Sequence, residues 1–192
     1  EADCFITDFL QRPFDLVKLK KAFTKWQTKM YGKGWNALYM ENHDHPRIIS
    51  RYGSEKYRVE SGKSIAASYL FQRGTPFVYQ GQEIGMINTP LPSLDDYKDI
   101  MVKNNARIAR SLGLSKETVL RLAQKASRDN ARTCMQWSGA PNAGFTNGKP
   151  WFVVNSNYKD INVESQLDDP GSILNFYRNA LQFRRDNPVV IY

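Results

Sequence analysis

Cysteine and histidine are scarce, two of each in 192 residues. Cys4 and Cys134 have neither the number of a disulfide framework nor the paired spacing of a structural zinc site, which points to a reducing compartment and a cytoplasmic location. No apolar run approaches the roughly 18 residues of a membrane-spanning helix, so no membrane partner is expected. The chain opens at Glu1 with no methionine, no basic n-region and no apolar h-region; no secretory signal is expected, and the start reads as cut. No internal repeat or low-complexity tract is present. Disorder is excluded by an apolar fraction of 41% with 12% aromatics, enough to bury a core.

Acidic residues are also in deficit, 19 against 27 basic ones, for a net charge of +8. A nucleic-acid partner would need that charge concentrated, and it is mostly dispersed. Its densest stretch, residues 17–33, interleaves Lys18, Lys20, Lys21, Lys25, Lys29 and Lys33 with Leu16, Leu19, Phe23, Trp26 and Met30 at helical spacing. The reading is an amphipathic helix that buries one stripe and keeps its lysines hydrated, without nucleic acid.

The remaining periodicities place a short strand over 4–9, a strand over 35–40, a helix over 61–73 and a strand over 77–79 after a turn at Gly74-Thr75-Pro76. Helices between short buried strands are the pattern of right-handed crossovers, so the fold class is α/β with a parallel sheet. Residues 81–170 read as an elaborated loop with helices over 95–111 and 115–127, the second capped by Ser115. A last helix follows, for which Asp169-Pro170-Gly171-Ser172 offers an N-cap and a proline at the first helical position before Ile173, and Asn187-Pro188 stops it.

Functional groups of a parallel α/β sheet gather at the carboxyl ends of its strands. Glu41-Asn42-His43-Asp44-His45 follows directly on the 35–40 strand and contains both histidines. A metal reading uses His43 and His45 with Asp44 or Glu41, but no later Cys or His completes a ligand set. A sugar reading uses a carboxylate and an imidazole around ring hydroxyls, with fixed negative charge facing the cation that develops at the anomeric carbon. The bland alternative is that Asp44 caps the following turn. A second polar island, residues 127–137, is rich in the forked donors and aromatic faces that suit carbohydrate, although an Arg beside Asp129 equally suits a structural ion pair. Gly62-Lys63-Ser64 is not a phosphate-cradling loop, because Tyr57 stands where its first glycine is needed.

The stretch from Glu41 through Gly53, which contains Asn42-His43-Asp44, resembles the Asn-His-Asp motif at the end of barrel strand seven in family 13 glycoside hydrolases, the α-amylase superfamily. Residues 74–86 look like strand eight of its oligo-1,6-glucosidase branch, and 127–137 are similar to the loop that follows. This resemblance implies a partial TIM (β/α)-barrel, roughly strands six to eight with their helices, and residues 1–192 as the C-terminal portion of a catalytic domain. The N-terminal half-barrel and the C-terminal β-domain would lie outside it, and 81–170 would be the loop region after strand eight. It further implies a retaining hydrolase cleaving α-glucosidic bonds of short oligosaccharides from the non-reducing end, without a cofactor or a metal. Asp44 matches the transition-state-stabilising carboxylate, His43 an imidazole on the glucose hydroxyls, and Arg132 an arginine that grips the same glucose. Gln80, Glu83 and Trp137 match positions with structural roles. Cys134 stands where the family usually has proline, which implies a looser turn after Arg132. Neither the nucleophile nor the acid/base carboxylate has a match in the chain, so the isolated polypeptide is expected to be inactive. Trehalose-6-phosphate hydrolases, sucrose isomerases and a non-catalytic glucosidase-like scaffold are the alternatives.

Overall fold

The computed structural model describes residues 14–191. Its principal elements, in chain order, are α1 (Leu16–Met30), β1 (Ala37–Leu38), α2 (Ile48–Tyr52), α3 (Arg58–Leu70) and β2 (Thr75–Pro76), then α4 (Ile100–Ser111), α5 (Lys116–Ala126), α6 (Glu164–Leu167) and α7 (Ile173–Asp186). Short 3-10 turns punctuate the long segment between β2 and α7. The expected strand over 4–9 lies outside the described residues.

β1 and β2 pair in parallel, Ala37 opposite Thr75 and Leu38 opposite Pro76. The amides of Thr75 and Phe77 donate to the carbonyls of Asn36 and Leu38 at 2.8 and 2.7 Å. The strand expected at 77–79 is therefore centred on Thr75–Pro76, the dipeptide expected to turn. Alternate residues face the neighbour in a parallel ladder, so the missing N–H of Pro76 falls on the side away from β1, and no bond to β1 is lost. Gly74 permits the approach: its φ is +142°, and a Cβ there would lie 2.5 Å from the Asn36 carbonyl oxygen.

Behind β1, Leu38, Ile48, Ile49, Ala66, Tyr69, Leu70, Ile173, Tyr177 and Ala180 form one core between α3 and α7. Gly62 sets their spacing, since a Cβ at that position would meet Ile173 Cδ1 at 2.7 Å. Buried Arg184 ties α7 to the end of α3: its guanidinium donates to the carbonyls of Leu70 and Gln72 at 2.7 and 2.6 Å and to that of Gly74. A cation there suits the negative end of a helix. Two further clusters, around Tyr97 and Val102 and around Met86 and Met135, consolidate the segment between β2 and α7.

Several local boundaries differ from expectation. The helix expected over 61–73 runs Arg58–Leu70, one turn earlier. The helix expected over 95–111 begins only at Ile100, because Asp99 takes the N-cap and accepts from the Met101 amide, while Leu94–Asp96 closes its own capping box with Ser93. In α7 the cap is Ser172, and Pro170 lies in the preceding turn rather than at the first helical position. Ser115 caps α5 as expected. The stripe of α1 is only half buried at Leu19, Phe23 and Met30, and no residue of α1 is fully buried. Leu16 and Trp26 are exposed. Polar contacts tie the helix to the segment before β2: the Gln27 amide donates to the Gln72 side chain at 3.2 Å and the Arg73 carbonyl at 2.9 Å, and Arg73 Nη1 donates to the Met30 carbonyl at 3.5 Å.

Candidate functional site

The loop leaving β1 is pinned from below by charge. Glu41 and Arg47 are both buried, and Arg47 Nη1 donates to Glu41 Oε2 at 3.1 Å and to the Gln80 carbonyl at 2.7 Å. Glu41 Oε1 accepts from the Ile48 amide at 2.7 Å, at the positive end of α2. Burial pushes the Glu41 carboxyl above its ordinary value, opposed by Arg47 and the Ile48 amide. The Arg47 amide donates to Asn88 Oδ1 at 2.9 Å, which fastens the far end of the loop to the chain after β2.

Between these anchors Asn42 makes the turn, its side-chain oxygen accepting from the Asp44 amide at 2.8 Å. Asn42, not Asp44, performs the capping, and the Asp44 carboxylate is left to reach outward. Arg128 Nη1 and Arg132 Nη2 both donate to Asp44 Oδ1, each at 3.2 Å. The other oxygen, Oδ2, lies 3.4 Å from His43 Nε2. Arg132 Nε donates to the His43 carbonyl at 2.9 Å. The three residues singled out from the sequence, His43, Asp44 and Arg132, therefore meet in one half-exposed cluster.

Two members of that cluster escaped the sequence reading. Arg128 places Nε and Nη2 on the two oxygens of Asp99, both at 2.6 Å, a bidentate fork. Burial alone would raise the Asp99 carboxyl, but the Arg128 fork and the Met101 amide outweigh it and hold the group below its ordinary value. Asp129 is committed to structure: its Oδ2 accepts from the amides of Lys98 and Asp99 at 2.7 and 2.9 Å, and its contact with Arg132 is a loose 3.8 Å. The ion-pair alternative raised for the 127–137 loop thus applies to Arg128 more than to Arg132. The available signal was local: Asp99 stands directly before an apolar helical run as a capping residue, and Arg128 precedes Arg132 by one helical turn.

The turn after Arg132 is not loosened by Cys134. Its amide donates to the Val153 carbonyl at 3.2 Å, a bond no proline can make, and its buried thiol donates to the Phe152 carbonyl at 3.4 Å. Burial pushes that thiol's pKa up. Gln80 contributes its carbonyl to Arg47. Trp137 is half exposed, and its backbone bonds to Ala143 and Glu164. Among the described residues no three His, Cys, Asp or Glu side chains stand together to hold a metal ion. A cavity of about 480 Å³ lined by Glu55, Asn88, Arg121 and Lys125, among others, shares no lining residue with the Asp44 cluster.

Glu83 yields a pH prediction. Burial raises its carboxyl, and Oε2 is buried without a hydrogen-bond partner. A raised acid binds its proton more tightly in the folded state, so its contribution is fully present below the ordinary value of 4.5 and is lost as pH rises through the folded value. Glu83→Gln is expected to remove that part of the decline and to be the more stable form at pH 7 by about 1 kcal/mol, because a neutral amide replaces a desolvated charge. Thermal melts of both proteins from pH 4 to 8 check this; parallel profiles would contradict it.

Comparison with known proteins bears on the whole chain. The α-amylase catalytic domain ("Alpha amylase, catalytic domain") matches residues 6–192. An oligo-1,6-glucosidase of Parageobacillus thermoglucosidasius is 47% identical over 183 residues, covering 94% of this chain and 33% of its own. A trehalose-6-phosphate hydrolase of Bacillus subtilis is 41% identical over 180 residues, covering 93% and 32%. Among solved structures, the Bacillus licheniformis trehalose-6-phosphate hydrolase superposes with a TM-score of 0.89 at 43% identity over 94% of this chain and 33% of its own. The isomaltulose synthase of Protaminobacter rubrum gives a TM-score of 0.89 at 40% identity over the same shares. The chain spans about a third of the length of these relatives. Their agreement makes the parallel β1–β2 unit and its helices part of a TIM-barrel fold.

Proposed function

Because this chain belongs to the family of α-amylase catalytic domains, we propose that it forms the C-terminal portion of the barrel of a retaining α-glucosidase acting on isomaltose-type or related short oligosaccharides. β1 and β2 are then strands seven and eight, and residues 81–170 elaborate the loop after strand eight. A cytoplasmic site of action belongs to the same reading and rests on the near absence of cysteine.

The observation that carries the reading is the meeting of Asp44, His43 and Arg132 at the rim of β1, across 88 residues of sequence between the carboxylate and the arginine. Cleavage with retention uses a nucleophilic carboxylate and an acid/base carboxylate about 5 Å apart, with positive charge building on the sugar between them. Both belong to parts of the enzyme outside these residues. Asp44 supplies the third carboxylate: its Oδ1 is held by arginines, and its Oδ2 presents negative charge to the developing oxocarbenium ion. His43 and Arg132 carry the N–H donors that orient the glucose hydroxyls, and the forked guanidinium fixes direction as well as charge.

Hydrolysis assays of the full-length protein on isomaltose, maltose, sucrose and trehalose 6-phosphate test this. Activity strongest on isomaltose is expected, with the 192-residue polypeptide inactive on all four. Activity on none by the full-length protein would favour a glucosidase-like scaffold and overturn the proposal. Dominant turnover of trehalose 6-phosphate, or isomerisation of sucrose, would shift it to those branches, which the 41% and 40% identical relatives keep in view.

A further inference from the structure

Among the charged groups around Asp44, Arg128 is the one for which sugar recognition leaves no work. Its Nε and Nη2 lie on the two oxygens of Asp99 at 2.6 Å, and Nη1 lies on Asp44 Oδ1 at 3.2 Å. Three of its five N–H groups are thereby spent on carboxylates. Asp99 is itself immobile: its side chain is 2% exposed, its Oδ1 also accepts from the Met101 amide at 3.0 Å, and its own amide donates to Asp129 Oδ2 at 2.9 Å. The freedom of a long side chain is thus removed before any ligand arrives. Arg132, by contrast, makes no such fork on a buried carboxylate; it holds the His43 carbonyl and Asp44 and lies only loosely, at 3.8 Å, from Asp129.

We infer that Arg128, buttressed by Asp99, is a positioning residue that fixes the orientation of the Asp44 carboxylate. It links the first turn of α4 to the rim of β1, so that the segment between β2 and α7 sets the direction of a carboxylate it does not contain. With Oδ1 held by two arginines, Oδ2, which lies 3.4 Å from His43 Nε2, is the oxygen left for the substrate side. Orientation is gained without cancelling the field, because Asp44, Asp99 and Asp129 carry three negative charges against two positive ones on Arg128 and Arg132. The cluster keeps one net negative charge for a cationic transition state.

The inference rests on the α-glucosidase reading, and its test is built to fail separately from it. In the full-length protein, Arg128→Ala is expected to lower kcat about tenfold while KM changes less than threefold; Arg132 still holds the same oxygen, so the loss stays below that of a fully misplaced group. Asp99→Asn is expected to cost a similar factor, and the double variant to cost no more than either alone, because the two residues act as one unit. Millimolar guanidinium chloride should restore part of the Arg128→Ala turnover where sodium chloride does not, which a purely structural role would not produce. If Arg128→Ala is insoluble, Arg128→Lys, which keeps the charge but cannot form the fork, is measured for the same loss. Turnover within twofold of the parent in Arg128→Ala or Arg128→Lys, additive losses, or an equal response to both salts would overturn the positioning role while Asp44→Asn stays impaired. If Asp44→Asn keeps its turnover, or the unaltered protein cleaves no glucoside, the reading falls and the inference with it.

Discussion

Asp44→Asn in the full-length protein is expected to lower kcat by at least about 10²-fold with KM little changed and the melting temperature within a degree or two, on the scale of a lost preorganised electrostatic contact. The substitution keeps the shape of the side chain. Its oxygen can still accept from Arg128 and Arg132, as Oδ1 does at 3.2 Å, while the amide nitrogen takes the place of Oδ2 beside His43. What disappears is the negative charge facing the sugar. The carboxylate is half exposed and caps no backbone amide, a task Asn42 performs, so folding has little stake in it. Steady-state kinetics with isomaltose, read beside a thermal melt, separate the two effects. Turnover within threefold of the parent would remove Asp44 from the chemistry.

Arg47→Met should produce the largest loss of stability, about 3–5 kcal/mol, the usual cost of breaking a buried ion pair from one side. Arg47 is wholly buried, and its removal strands Glu41, itself buried, together with the Gln80 carbonyl. At the roughly 2–4 °C per kcal/mol of a domain of this size, the melting temperature should fall by about 10 °C. The double variant Glu41→Gln/Arg47→Met separates charge from packing: with no carboxylate left behind, it should recover more than half of the loss. A single variant that melts within 2 °C of the parent, or a double variant no better than the single, would show that the pair does not anchor this loop.

These two expectations come from different depths of the same seven-residue stretch, Glu41 to Arg47, and they differ in how far the sequence could lead. Apolar residues before Glu41 and a polar cluster after it mark the end of a strand, so the exposure of His43 and Asp44 was legible locally. That Glu41 turns inward was not, because its partner Arg47 is recognisable as a buried cation only once Gln80 and Tyr79 close over it. The strand at Thr75–Pro76 shows the same limit. Proline reads as a turn residue by its local chemistry, and only the register against Asn36 and Leu38 reveals that its missing N–H costs no bond to β1. Periodicity likewise located α1 but not its burial, since a stripe is buried only where another element covers it.

Composition, spacing and motif order were enough to determine the family, the α/β class, and the identity of the carboxylate, imidazole and guanidinium that gather at one rim. Tertiary structure alone decided which oxygen of Asp44 the arginines hold, that there are two of them, and that Asp99 stands behind one. The reason is physical. Backbone propensity and hydrophobic period act over a few residues and leave a pattern in the chain, whereas a charged pair joined across 84 residues leaves none until the fold brings its members to 3.2 Å.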